Sequence, residues 1–62
     1  MKQLIEAAKA AVSKKATGAN LHMLQNMLGN CNILLHIQEK TGQDKSAEIK
    51  KIINDVYKKI GG

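Results

Sequence analysis

From Asn20 to Gln38 the chain reads NLHMLQNMLGNCNILLHIQ, with no Lys, Arg, Asp or Glu, although charged residues crowd the segments on either side. Within it Leu21, Leu24, Met27, Leu28, Cys31, Leu34 and Leu35 recur at three-to-four spacing, which predicts one long helix with a broad apolar stripe. A helix that packs one stripe against a core normally fills its outer face with charge. The outer face here is His22, Gln25, Asn26, Gly29, Asn32, Ile33 and His36, with Met23, Asn30 and Ile37 along one margin. Any fold of this chain must bury one side of that helix and account for the other.

The flanking segments supply the remaining core. Met1, Leu4, Ile5, Ala8, Ala11, Val12 and Lys15 share a face if residues 2–16 are helical, and Ala has the best intrinsic helix propensity. Glu6 early and Lys14-Lys15 late suit the helix macrodipole. Ile49, Ile52, Ile53, Val56 and Ile60 line up on a helix over residues 45–60, with Tyr57 at the edge of the stripe. Two similar tetrapeptides separate the three segments, Thr17-Gly18-Ala19-Asn20 and Thr41-Gly42-Gln43-Asp44. In each, the glycine suits the left-handed residue just past a helix, and Asn20 or Asp44 suits the N-cap of the next. The middle helix then covers residues 21–40, and short connections of this kind join antiparallel neighbours. The expected fold is all-α: a single-domain three-helix bundle over residues 1–62.

A chain of 62 residues buries only about 60% of its unfolded surface, so stability is thin. With one cysteine, Cys31, no intrachain disulfide can reinforce it. Cys31 falls in the apolar stripe with no flanking base, and a small buried hydrophobe is the expectation. No Cys and His cluster at metal-ligand spacing, and His22 and His36 lie about 21 Å apart along a helix, too far for one ion. Without Pro, Trp or Phe, and with Tyr57 as the only aromatic, an all-β chain has little to build on.

Ten basic residues against five acidic ones give a net charge of +5, and every basic residue is Lys. Arg, which forks onto guanine edges and phosphates, is missing, as are interleaved aromatics for stacking bases. The composition therefore argues against nucleic acid as the main partner, although Lys45, Lys50, Lys51, Lys58 and Lys59 keep it as an alternative. His22, Gln25, Asn26, Asn30 and Asn32 interrupt the uncharged stretch, so no membrane span is expected. A membrane-active cationic peptide is weaker still, because the apolar stripes are needed for the bundle. No signal-peptide pattern follows Met1-Lys2, and the lone thiol suits a reducing compartment, so a soluble cytoplasmic protein is expected. The five acids form no close pair, and there is no Ser/His/Asp order or Gly-rich phosphate loop. The chain is read as non-enzymatic, without cofactor or metal.

The outer face of the middle helix is the candidate site. Mid-helix Gly costs about 1 kcal/mol against Ala, and Asn residues add smaller penalties. Such costs on one exposed face of a marginal domain call for a reason. Desolvating Asn, Gln and neutral His costs far less than burying Lys or Glu, and interface centres are depleted in charge. The candidate partner-binding residues are His22, Gln25, Asn26, Gly29, Asn32, Ile33, His36 and Ile37, with Gly29 allowing close approach and the isoleucines as anchors. The partner is a foreign protein or, alternatively, a second copy giving a homodimer. The competing explanation is a middle helix enclosed by its neighbours whose Asn residues are tolerated drift.

The matched Thr-Gly connectors, the Lys/Glu/Ala/Ile vocabulary of the outer helices and the terminal Gly61-Gly62 give the chain a regular style. In layout it resembles engineered three-helix mini-protein scaffolds, computationally designed or affibody-like. That resemblance implies a regular scaffold with one helix face given over to a target. The middle helix, with Gly29, Asn20, Asn26, Asn30, Asn32 and Cys31, departs from the regular style where such a face would lie.

Overall fold

Residues 2–61 are described by a computed structural model, in which three helices run in the order α1 (Lys2–Lys15), α2 (Gly18–Thr41) and α3 (Ser46–Lys59). The described residues contain no strand. The two connections are short, so α2 runs antiparallel to both neighbours and the three helices close into a bundle. At 1.5 Å per residue, the 24 residues of α2 span about 36 Å, which matches the 35 Å long axis of the molecule.

Each helix contributes a narrow row to the core. Ile5, Ala8 and Val12 come from α1, Leu24, Leu28 and Cys31 from α2, and Ile49, Ile53 and Val56 from α3, with Ala16 closing one end. Leu21, Met27, Leu34, Leu35, Ile52 and Ile60 pack around this row while keeping part of their surface in water. On the α1 side of the core the fully buried Ala8 sits between the larger Ile5 and Val12. The expected α1 stripe was too broad: Leu4 is 45% exposed and Lys15 lies in solvent. A helix touching two neighbours buries only the residues near the line toward the bundle axis, and Leu4 falls outside that arc. Met1, also assigned to the stripe, lies outside the described residues.

The connectors depart from the expected capping. α2 begins at Gly18, earlier than residue 21, and Asn20 is therefore inside its first turn and not its N-cap. The cap position belongs to Thr17, extended at φ −139° and ψ 160°, whose side chain makes no capping bond. Gly18 has the expected left-handed φ of 60°, but it opens α2 and does not close α1. At the other connector Gly42 is left-handed at φ 77° and its N–H donates to the Gln38 carbonyl at 2.9 Å, as expected of a glycine that ends a helix. α3 starts at Ser46, so the N-cap position falls to Lys45 and not to Asp44 as expected; from one residue further back the Asp44 carboxylate still accepts the Ser46 N–H at 2.9 Å.

Candidate protein-binding face

The core row of α2 fixes what its opposite side shows. With Leu24, Leu28 and Cys31 pointing inward, residues about half a turn away must face water. His22, Gln25, Asn26, Asn32, Ile33 and His36 are all exposed, while Gly29 and Ile37 are half-buried. The eight candidate residues thus lie outside the bundle core, on one elongated surface. Ile33 is the most exposed large apolar side chain described, at 59% of its surface, and Met23 on the margin of the same face is 41% exposed.

Gly29 lies midway along this surface. A Cβ built on it would meet no atom within 4 Å, so nothing inside the bundle requires a glycine there. Enclosure by neighbouring helices therefore does not account for Gly29, and the cost it imposes on α2 is unrelieved within the chain.

The face is free of charge along its length, and the polar groups on it are uncommitted. Neither His22 nor His36 takes part in a salt bridge or a side-chain hydrogen bond among the described residues. Gln38, the residue after Ile37, is used internally. Its Oε1 accepts the Lys45 N–H at 2.9 Å and lies 3.4 Å from the Ser46 hydroxyl, tying the end of α2 to the start of α3. Sequence reasoning missed this role, because a side chain bridging two helices leaves no signal in spacing.

Other chemistry is sparse. Cys31 is fully buried, its thiol 4.0 Å from the Ile49 carbonyl, and burial pushes its pKa up, away from the reactive thiolate. No group of His, Cys, Asp or Glu among the described residues is placed to hold a metal ion. Among the described residues, one shallow cleft of 180 Å³ lies between Lys9, Ser13 and Gln25 and another of 280 Å³ beside Lys15, Asn20 and Lys59. Both fall below the roughly 300–1,000 Å³ of ordinary small-ligand sites. No helix among the described residues is long and apolar enough to cross a membrane. Compared with protein-family models, curated proteins and solved structures, the chain finds no match in any of the three.

Proposed function

We propose that the chain is a non-enzymatic protein-binding module, of the kind to which engineered three-helix scaffolds belong, and that it presents the outer face of α2 to a protein partner. The observation that carries this is Gly29: a glycine in mid-helix, with open space above it and uncharged, uncommitted side chains on all sides. A partner's helix can approach the backbone there as it could not over a larger residue. Ile33 and Ile37 supply apolar anchors at one end, and His22, Gln25, Asn26, Asn32 and His36 supply hydrogen bonds around them.

Replacing Ile33 by Asp tests the proposal. The variant should keep its helical circular dichroism and melt within a few degrees of the parent, because the side chain is mostly in water. It should lose proteins that the parent captures, and a Lys51→Glu control on α3 should retain them. Capture that is the same for parent and Ile33→Asp, or unfolding of Ile33→Asp, would overturn the proposal.

A further inference from the structure

We infer that the occupant of the α2 face is a second copy of this chain, paired antiparallel about a two-fold axis beside Gly29; the inference rests on reading that face as a protein-binding surface. The spacing along α2 is the first argument. His22 and His36 lie seven residues to either side of Gly29, and Asn26 and Asn32 lie three to either side. In an antiparallel pair centred on Gly29, residues equally distant from the axis come level. His22 of one copy meets His36 of the other, so that one neutral imidazole donates and the other accepts. Gly29 meets Gly29, where the missing side chains let the two backbones close on each other. On one flank Gln25 comes beside Asn32 of the second copy, two amides that each donate and accept. On the other flank Asn26 lies beside Ile33 of the second copy.

The positions also form a seam. His22, Gly29 and His36 repeat every seven residues, with Gln25-Asn26 and Asn32-Ile33 between them, the 3.5-residue period of paired helices. α2 thus carries two seams, one toward its own core and one toward solvent. Polar residues in such a seam reduce affinity and set register and direction, which suits a face made of amides and imidazoles.

Charge selects the antiparallel direction. Because α1 and α3 both run opposite to α2, their C-terminal turns lie at the start of α2, and that end of the bundle gathers Lys14, Lys15, Lys58 and Lys59. Lys15 and Lys59 line the same cleft there. The other end balances Glu39, Asp44 and Glu48 against Lys2, Lys40 and Lys45, with Glu48 3.9 Å from the Lys45 ammonium. A parallel pair would set the lysine-rich ends together. An antiparallel pair sets each beside the charge-balanced end of the second copy, which avoids that repulsion, and the seam between them holds no charge at all.

The contact is small. A seam about 21 Å long on one helix falls short of the roughly 800 Å² per partner of a standard interface, which puts the dimer among weak, transient pairings. Both copies carry a net charge of +5, so moderate salt should tighten the pairing by screening the remaining repulsion.

Sedimentation equilibrium on the full chain, from about 10 μM to 2 mM, spans the range in which such a contact forms. The expected result is a mass that rises from monomer to dimer and stops there. Gly29→Lys, which places two ammonium groups across the axis, should weaken association at least about tenfold. The same variant should melt no lower than the parent at dilute concentration, since Lys is the better helix former. Mild oxidation of Gly29→Cys should give a disulfide-linked dimer and that of His22→Cys should not, because only the residue on the axis meets its own copy. Monomer at every concentration, or equal cross-linking of both cysteine variants, would overturn the pairing. If the parent stays monomeric while Ile33→Asp folds normally, only the self-pairing fails and the face remains open to a foreign protein. If Ile33→Asp unfolds, the face is core and both proposals fail.

Discussion

The same Thr-Gly pair occurs at both junctions between helices and does different work at each. Between α1 and α2 the turn is made by Ala16 and Thr17 alone, held by backbone bonds: Ala16 N–H to the Val12 carbonyl at 2.9 Å and Leu21 N–H to the Thr17 carbonyl at a long 3.4 Å. Between α2 and α3 the longer link from Gly42 to Lys45 is stitched by side chains. The Thr41 hydroxyl donates to the Ile37 carbonyl at 2.8 Å and accepts the Gln43 N–H at 3.2 Å, while Gln38 and Asp44 take the N–H groups of Lys45 and Ser46. A two-residue turn leaves no room for a polar side chain to fold back onto the next helix, whereas a longer one does. Local sequence similarity therefore does not imply the same cap, because the distance to the next helical residue decides which atoms can meet.

Four substitutions would break or sharpen this contrast. The largest effect is expected at Gly42, where the left-handed backbone and a β-branched side chain are incompatible. Gly42→Val should lower stability by about 2 kcal/mol in a urea melt. Gln38→Ala comes next. It strips the acceptor from a part-buried Lys45 N–H, for a loss of about 1 kcal/mol seen as an earlier thermal midpoint. The first connector should respond in the opposite direction. Thr17 already has the extended backbone of an N-cap and α2 has no acid in its first turn, so Thr17→Asp should stabilise by about 0.5–1 kcal/mol. If Thr17→Asp has no effect, the first turn is not limited by its missing cap.

The smallest effect is tied to pH. The Ser46 N–H and hydroxyl hold the Asp44 carboxyl below its ordinary pKa of 3.8. A group whose pKa is depressed by folding contributes stability that is complete above the unfolded value and disappears as pH falls through the folded one. Comparing melts of the parent and Asp44→Asn at pH 6 and at about pH 2.5 should therefore show a difference at the higher pH that shrinks at the lower.

Much of the fold was legible because helical periodicity is a local property. The rows Ile49, Ile53, Val56 and Leu24, Leu28, Cys31 follow directly from residue spacing, and the bundle follows from three such rows with two short links. The outer face of α2 was legible for the same reason, being what remains when the core row is removed. What spacing could not give were quantities set by neighbours. Leu4 reads as core on a helical wheel, yet the arc buried in a three-helix bundle excludes it. Asn20 has good N-cap chemistry, but Gly18 can adopt a positive φ and lets the helix start earlier. Ile37, an expected anchor, is partly covered, so Ile33 carries more of the exposed apolar surface.

Cys31 gives the molecule an internal clock. Its sulfur is sealed inside the core by all three helices, and it is the chain's only thiol. An alkylating reagent reaches it only when the bundle opens, so the rate of mass gain under excess reagent measures how often the core is exposed. Wherever on α1, α2 or α3 a substitution falls, its effect on that opening can be followed at one unmodified atom.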